Sequence, residues 1–525
     1  MTPVTYGRSR HPDFLLIFRD ADNVARSRLQ ISIGFDVKNN ERNEMPKIIG
    51  EIRDAATGEV VQARVQVLAP NGENVAPADA MWKVGTGEPF FYSNGQFALD
   101  TTRGYHRVLV ERGTEFTPWE GIVEVDGSTD SSVDIKLERW SDLPERGWHP
   151  GNTHIHYDEK ETDPDRRLGY DSRVEDLRMT AVSILKRWDL DYATNKYPPG
   201  VLTEYTDTHH HVQSGEETRH NHDPSDPFKI GYGHVMLLNI RNQVEPISRG
   251  LIVDQFDPDY PPLSYACDLA NDQDGLVIWC HNGQGMEAPV AAALGKVHAM
   301  NLFDPFWTDI EYLYWYHMLN TGIKMPVSTG SDWFVSSANR VYSQTNGGFA
   351  YDSWLDGIRT GKTFITNGPA LYLSVAGQEP GDTLEVEKGT TIPIHANWSS
   401  HYPVQKVEIV QNGKVIARRD FSEGVTVGHI EMELIAETDG WIGARLGSGS
   451  RDSFNQPIWA HTSPVYLTGT GERSEASVES AKFYTDQIGE GINWVKTKGR
   501  FYNDSQRKEV VDLFKQGQDW YRNLT

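Results

Sequence analysis

Between residues 147 and 369, short apolar segments alternate with segments of helical pattern, and this alternation constrains the fold more than any other feature of the sequence. The apolar segments are typical of buried strands and lie at residues 181–185, 235–239, 276–280, 325–329 and 363–365. Helices are predicted at residues 172–179, with Ser172 and Glu175 as a capping box, and at residues 309–319 and 351–359. Because strands that alternate with helices form parallel sheets, residues 146–369 are predicted to form a parallel, barrel-like α/β domain.

Strand-and-turn patterns flank this α/β region on both sides. Alternating apolar residues between positions 46 and 140 predict a small β-sandwich, which resembles the carboxypeptidase regulatory-like domain. A second β-sandwich is predicted over residues 370–470, with a hairpin turn at Asn412-Gly413. Helices are predicted in the tail, residues 474–525, and residues 1–45 are predicted to form either an arm or a strand added to a neighbouring sheet.

Composition narrows the classes of partner. The chain has 525 residues and a formal net charge of −24, which disfavours binding to nucleic acid or to an anionic membrane, because both require a basic face. A small-molecule substrate is the expected partner, and the 15 tryptophans leave a homo-oligomer open. The 2 cysteines imply no disulfide framework. Residues 1–18 lack the pattern of a signal peptide, so a cytoplasmic location is expected unless a signal has been removed.

Two histidines at the start of the α/β region are the first candidate metal ligands. His154 and His156 alternate along an extended segment, so their side chains lie on the same side of a strand. Neutral imidazole nitrogens in this arrangement can bind one metal ion. A surface strand with two solvated histidines would show the same spacing, so the interpretation depends on residues that come later in the chain.

Further candidate ligands adjoin other predicted strands. Side chains at the carboxyl ends of barrel strands face one shared pocket. Taken singly, each candidate has an ordinary structural explanation, such as a helix cap or a solvated turn. Together with the first pair of histidines, they form an ordered set of imidazoles and carboxylates suited to one or two divalent transition metals. These later candidates are Glu217, His234, His281 and Asp332.

A series of short motifs carries a family resemblance. They are GW at 147–148, GNTHIH at 151–156, GEETR at 215–219, GHV at 233–235, GSD at 330–332, NRVY at 339–342 and GKTFITNGP at 361–369. With these motifs, residues 146–376 resemble the PHP (polymerase and histidinol phosphatase) superfamily of metallohydrolases, and within it the CehA/McbA family of carbaryl hydrolases. The resemblance implies a PHP-type distorted (β/α) barrel flanked by β-rich domains.

The resemblance also implies ligand roles. One metal ion would be held by His154, His156, Glu217 and Asp332, and a second by Glu217, His234 and His281, with Glu217 bridging the two ions. Many PHP members hold a third metal, but at the corresponding positions this chain has Lys186, Arg187 and Phe334, so no third site is expected. The expected cofactor is a pair of divalent ions, Zn or Mn, with Fe, Co and Ni as alternatives and a single ion if occupancy is weak.

Residues beyond the ligands are candidates for catalysis. Lys186 or Arg187 could place a fixed cation beside an attacked oxygen, or both could be surface charges. His210, within the run His209-His210-His211, could donate a proton or simply be solvated. Arg340 could bind substrate or form a salt bridge under its loop.

Apolar side chains beside the predicted ligands have two interpretations. Tyr157, Trp333 and Phe334 adjoin ligand positions and could line an aromatic pocket or belong to the core. Cys280 precedes His281, and a cysteine at a strand end is more often buried and inert than catalytic.

The function expected from the resemblance is that of a metal-dependent hydrolase. A metal-activated water would attack an ester, carbamate or amide bond of a small organic substrate, with Glu217 and His234 assisting in charge and proton transfer. A PHP-type phosphoesterase is the main alternative, and the expected absence of a third metal favours the carbon-centred substrate. A metal-containing binding module without catalysis is a third hypothesis.

Overall fold

The computed structural model describes residues 45–187, 190–222, 225, 230–303 and 312–525. The arm or added strand expected at residues 1–45 lies outside the described residues except for its last position. The described chain is a mixed α/β protein with large sheets. Among the described helices, none combines the length and the apolar character needed to cross a membrane.

The amino-terminal part of the described chain consists of strands. They are β1 (Lys47–Asp54), β2 (Ala63–Leu68), β3 (Asn74–Val75), β4 (Phe91–Ser93), β5 (Gln96–Asp100), β6 (Gly104–Glu111), β7 (Trp119–Val125) and β8 (Ser131–Leu137). One sheet has the order β5-β1-β8, and the other has the order β3-β2-β6-β7 with β4 paired to β2. Alternate residues of both sheets, such as Ile52 and Val108, share one apolar cluster. The alternating apolar residues of this region thus lie on strands that form two sheets around a common apolar cluster.

The middle of the chain alternates between strands and helices. Its elements are β9 (Trp148–His156), α1 (Pro164–Val174), β10 (Met179–Ile184), β11 (Lys186–Arg187), β12 (Leu190–Asp191), β13 (Gly200–Val201), β14 (His211–Asn221), β15 (Gly233–Leu238), β16 (Ser248–Gly250), α2 (Leu263–Asn271), β17 (Leu276–Trp279), α3 (Ala288–Ala293), β18 (Ala299–Asn301), α4 (Leu313–Asn320), β19 (Val327–Ser328), β20 (Asp332–Trp333), β21 (Arg340–Gln344), α5 (Tyr351–Thr360) and β22 (Thr363–Thr366). Short 3-10 helices lie at Pro144–Arg146, Ala193–Lys196 and His281–Gly283.

The sequence predicted a parallel sheet for this middle region, and that prediction is wrong in part, because the sheet is mixed. β9 is parallel to β10 and β20 but antiparallel to β21, and β10 is parallel to β14. β15 is antiparallel to both of its neighbours, β14 and β17, while β17, β18 and β19 are parallel. A parallel pair needs a long crossover, whereas only residues 222–232 connect β14 to β15, so the chain returns directly at the same end.

The helix predicted at residues 172–179 is displaced towards the amino terminus. Helix α1 ends at Val174, and Met179 already begins β10. The side chain of Asp163 caps the helix by accepting a hydrogen bond from the backbone N–H of Arg166, and Pro164 occupies the first helical position. This Asp-Pro start is the stronger signal, because it satisfies a free backbone donor and fixes the first φ.

The carboxyl-terminal part begins with strands and ends with a helical hairpin. Its elements are β23 (Ala370–Val375), β24 (Thr383–Glu385), β25 (Thr391–Gln411), β26 (Lys414–Ile435), β27 (Gly440–Arg451), β28 (Pro457–Thr462), β29 (Val465–Thr468), α6 (Glu475–Thr497) and α7 (Asp504–Arg522). The predicted turn at Asn412-Gly413 connects β25 to β26, and both of its residues have positive φ. β22 pairs with β28, so the strands of this part continue the middle sheet.

Candidate metal centre

The amino-terminal ligands of the candidate site lie on β9. His154 and His156 are fully buried, and their Nε2 atoms are 3.1 Å apart. The two rings point to the same side because side chains alternate along a strand. The neighbouring loop can approach β9 only because position 330 is glycine: a Cβ there would lie 2.4 Å from the Cβ of His154.

Glu217 is the residue that the other ligands surround. It lies on β14 and is 1% exposed. Its Oε2 is 3.1 Å from Nε2 of His156, and its Oε1 is 3.0 Å from Nδ1 of His234 on the adjacent β15. One carboxylate therefore contacts imidazoles that come from strands on both sides of it.

His281 and Asp332 complete the cluster from positions where the backbone is unusual. His281 directly follows Cys280 after β17, and its Nε2 is 3.7 Å from Oε1 of Glu217. Asp332 begins β20, and its Oδ1 lies 3.5 Å from Nε2 of His154. Both residues have left-handed backbones, with φ of 52° and 60°. Non-glycine residues in this region carry strain, and such strain clusters at functional sites.

The candidate donor atoms, most of them buried, form three groups among the described residues, and each group could hold a metal ion. In each group the candidate ligand atoms lie within 4.8 Å of one another. One group is His154, His156 and Asp332, another is Glu217, His234 and His281, and a third joins His154 and Glu217 to Cys280. The structure therefore brings together all of the metal ligands that the sequence predicted.

Hydrogen bonds to the far side of the rings favour ligand tautomers. Nδ1 of His156 donates to the carbonyl oxygen of Ser183 at 3.1 Å, which leaves its Nε2 as an acceptor. Nε2 of His234 donates to Oδ1 of Asn221 at 3.0 Å, which leaves its Nδ1 as an acceptor. Each remaining lone pair faces a carboxylate oxygen of Glu217. Acceptors that face one another in a buried site fit a cation between them.

The protonation states of the cluster agree with this arrangement. Burial alone would raise the pKa of Glu217, but the charge of Arg219 beside it holds that pKa well below its usual range. Burial and the charge of Arg219 lower the pKa of His234 to about 3. An ionised carboxylate beside a neutral imidazole is the state in which both residues bind metals.

A hydrogen-bond clamp holds the loop before Asp332 against β9. Oδ1 of Asn152 accepts hydrogen bonds from the backbone N–H groups of His154 at 3.1 Å and of Ser331 at 3.2 Å. Its Nδ2 donates to Oγ of Ser331 at 2.7 Å. The side chain of Asn152 thus fixes the two ligand-bearing segments relative to each other.

No role was predicted for Arg219 or Asn221, and Cys280 was expected to be buried and inert. Arg219 lies beside Glu217, Asn221 orients His234, and Sγ of Cys280 is within 4.8 Å of ligand atoms of the cluster. A signal for Arg219 was present, because a residue two positions after Glu217 on a strand shares its face. The role of Asn221 depends on the pairing of β14 with β15, which the spacing does not reveal.

Lys186 and Arg187, the predicted oxygen-stabilising cations, are both exposed. They form the short strand β11, which pairs with β12. The hydroxyl of Tyr192 is hydrogen-bonded to Arg187, and the backbone carbonyl of Lys186 accepts a hydrogen bond from Ser248. Solvent screens exposed charges, so these side chains suit a surface role better than the catalytic role that was predicted.

His210 and Arg340, also predicted to be catalytic, are engaged elsewhere. His210 precedes the first residue of β14, whereas Glu217 lies towards the other end of that strand. Nδ1 of His210 donates a hydrogen bond to the carbonyl oxygen of Leu177 at 2.7 Å. Arg340 is buried and its guanidinium contacts the carboxylate of Glu175 at 3.2 Å. Both residues have structural partners away from the cluster, and the salt bridge of Arg340 is the structural alternative to substrate binding that the sequence left open.

The aromatic candidates divide between the core and the site. Tyr157 and Phe334 stack at 5.3 Å within an apolar cluster, so they belong to the core. Trp333 lies beside the ligands, with its ring centroid 5.4 Å from that of His156. Tyr192 adjoins Trp333 at 5.4 Å and extends this aromatic wall.

No protein-family model matches the chain, and no curated protein matches it. Any family assignment therefore depends on the motifs and the site geometry of this chain itself.

Proposed function

We propose that the protein is a metal-dependent hydrolase of the PHP superfamily, similar to the CehA/McbA family. The observation that carries this proposal is the sharing of Glu217: its two oxygens lie 3.1 Å from His156 and 3.0 Å from His234. A carboxylate between two sets of imidazoles is suited to bridging two divalent ions. We infer a binuclear site, with the histidines of β9 and Asp332 on one side and His234 and His281 on the other.

The fold that we infer for this function is a PHP-type distorted (β/α) barrel over residues 146–369, flanked by β-sandwiches over residues 46–140 and 370–470. The small amino-terminal sheets with a common apolar cluster support the first sandwich. The order of ligand-bearing strands β9, β14 and β15 in one sheet supports the barrel. The tail helices α6 and α7 pack on the same core as the middle sheet.

Divalent ions bound here would supply Lewis acidity towards an electrophilic carbon or phosphorus. The chain's own residues then perform the remaining tasks. Glu217 stays ionised and balances the charge, and Asn221 holds His234 in the tautomer that presents Nδ1. The side chain of Asp332 is 18% exposed, against 1% for Glu217, so Asp332 is the carboxylate that an entering water can reach and to which it can give a proton.

We propose a carbon-centred substrate, namely a small ester, carbamate or amide. Phe334 supports this choice, because its ring is buried against Tyr157 at the position where many PHP members carry a third-metal ligand. Phosphate monoesters benefit more from a third cation, because they carry more negative charge. The aromatic wall of Trp333 and Tyr192 is suited to an apolar group of the substrate.

Elemental analysis tests the proposal. We expect about two metal ions per wild-type chain and a loss of metal in both His154→Ala and His234→Ala. The His210→Ala protein, with a histidine replaced just before β14, should keep its metal. Matched aryl acetate, aryl carbamate and aryl phosphate substrates then test the chemistry. Wild-type protein that holds no metal after reconstitution would refute the proposal, and turnover of the phosphate alone would refute the carbon-centred substrate.

A further inference from the structure

Arg219 is a mostly buried cation beside the candidate metal centre, and no role was predicted for it from the sequence. It lies on β14, two positions after Glu217 and directly opposite His234 in the antiparallel pairing with β15. Its side chain is 11% exposed. Its position on the strand therefore directs a permanent charge towards the same cluster as Glu217.

The guanidinium of Arg219 retains hydrogen-bonding capacity. Its Nη1 is 3.4 Å from Oε2 of Glu217, longer than the 2.7–2.9 Å typical of a charge-assisted hydrogen bond. Its Nε is buried and has no hydrogen-bond partner among the described residues. A guanidinium has five N–H donors, so Glu217 leaves most of them for another acceptor. An unpaired buried donor is costly, which points to an acceptor that arrives with a ligand.

We propose that Arg219 is the oxyanion-binding residue of this site: it donates hydrogen bonds to the substrate oxygen that becomes negatively charged during hydrolysis. The inference rests on the proposed hydrolase function. A buried cation stabilises such charge more strongly than an exposed one, because less water screens it. Arg219 thus takes the role that the sequence analysis had assigned to the exposed Lys186 or Arg187.

A purely structural role for Arg219 predicts a different outcome. If Arg219 served only to hold Glu217, its replacement would release metal and lose activity in parallel. If it binds an oxyanion, metal content would persist while anion binding and turnover fall. The experiment therefore compares Arg219→Gln and Arg219→Lys with the wild type, and uses Arg178→Gln as a matched control, because Arg178 contacts His209 away from the cluster.

The readouts are metal content, binding of inorganic phosphate to the metal-loaded protein by calorimetry, and kcat on the aryl ester panel. We expect Arg219→Gln to keep its metal, to bind phosphate about 10- to 100-fold more weakly, and to lose about 100-fold or more in kcat. Arg219→Lys should recover only part of each, because an ammonium cannot reproduce the planar fork. Guanidinium ions added to an Arg219→Ala variant should restore part of the turnover.

The outcomes separate this inference from the function on which it rests. Phosphate binding that depends on Arg219 in a protein without turnover would support the anion site and refute the hydrolase function. Turnover and phosphate binding that are equal in wild type and Arg219→Gln would overturn the inference and leave the hydrolase function standing. Metal loss that parallels the loss of activity would also overturn it, because Arg219 would then only position Glu217.

Discussion

Two groups of histidines near opposite ends of β14 show what distinguishes a candidate metal centre from a histidine-rich loop. At the amino-terminal end, His209 contacts Arg178 at 2.7 Å and His210 donates to the carbonyl oxygen of Leu177. The ring of His211 stacks on that of Tyr351 at 4.1 Å. Each of these three rings has a different partner, and none of the partners is a candidate metal ligand.

Near the other end of β14, the partners of the histidines are one another and the carboxylates. His156 and His234 both face Glu217, and their far nitrogens are fixed by hydrogen-bond acceptors. The number of histidines is therefore a poor guide, since three consecutive ones do not form a cluster. Convergence of acceptor atoms in a buried place is the informative feature.

The sharpest test of this comparison replaces each of two neighbouring carboxylates, in turn, by an amide. Glu217→Gln removes the negative charge that the histidines face, so metal affinity and turnover should fall by more than about 100-fold. Mutation of residues that only support a metal ligand already lowers metal affinity by about 10- to 100-fold. Glu216→Gln is the matched control. Glu216 faces Thr218 and the backbone N–H of Val244, and burial raises its pKa to about 7. The Glu216→Gln protein should therefore keep its metal content, because a neutral amide can take the place of this carboxyl group.

Elemental analysis and kcat of both variants measure the difference. Equal metal loss in the two variants would show that the fold around β14, and not the charge of Glu217, governs binding. Equal retention in both would remove Glu217 from the ligand set.

The cluster end of β14 also depends on a buried contact with the tail. Asp259 accepts hydrogen bonds from Nε2 of His220 at 2.9 Å and from the backbone N–H of Arg500 at 2.6 Å. In Asp259→Asn, an amide donor would face one of these donors. We expect a loss of about 2 kcal/mol in the free energy of unfolding, measured with urea, and about tenfold weaker metal binding.

The control for that variant is Asp512→Asn, on the exposed surface of α7, which should leave both the urea midpoint and the metal content unchanged. Stability that falls in Asp259→Asn with no change in metal affinity would mean that the tail supports the fold without positioning the ligands.

At the amino-terminal end of β14, we expect the folding stability to depend on pH through His210, independently of metal binding. Burial lowers the pKa of His210 from 6.5 to about 4, with Asp176, Arg112 and Asp207 as the charged neighbours. Between these pH values the unfolded chain binds a proton that the folded chain does not, so stability falls as the pH drops from about 6.5 to about 4. His210→Gln keeps a donor for Leu177 and cannot be protonated.

We therefore expect the stability of the wild type to fall by about 1–3 kcal/mol more than that of His210→Gln between pH 7 and pH 4. Chemical denaturation at each pH measures this difference. Parallel curves for the two proteins would mean that His210 takes up its proton in the folded state.

The ligand positions could be predicted from the sequence because they follow a local rule. His234 lies at the start of the apolar strand β15 and His281 follows the apolar strand β17, while Glu217 lies within the longer, polar strand β14. Because these strands belong to one sheet, residues that adjoin them come together. The rule works without knowledge of the exact strand pairing. The predicted ligand residues lie together in one cluster even though β15 is antiparallel to its neighbours.

The roles of the cations could not be predicted because they depend on burial and on distant partners. Arg340 meets Glu175, which is 165 positions away in the chain, and no local pattern encodes that pairing. Lys186 follows the apolar strand β10 and Arg219 lies near the end of β14, yet the first is exposed and the second is mostly buried beside Glu217. Their environments are set by the packing of the whole sheet.

The smallest predicted effect comes from Lys186, the exposed counterpart of Arg219. Lys186→Ala removes a charge from the short strand β11, whose side chains face solvent. We expect metal content and phosphate affinity to stay unchanged, kcat to change by less than about twofold, and the free energy of unfolding to change by less than about 0.5 kcal/mol. Calorimetry and urea denaturation beside Arg219→Gln give the direct comparison. A loss of turnover in Lys186→Ala comparable to that in Arg219→Gln would show that an exposed cation reaches the substrate after all, and that burial does not decide which cation acts.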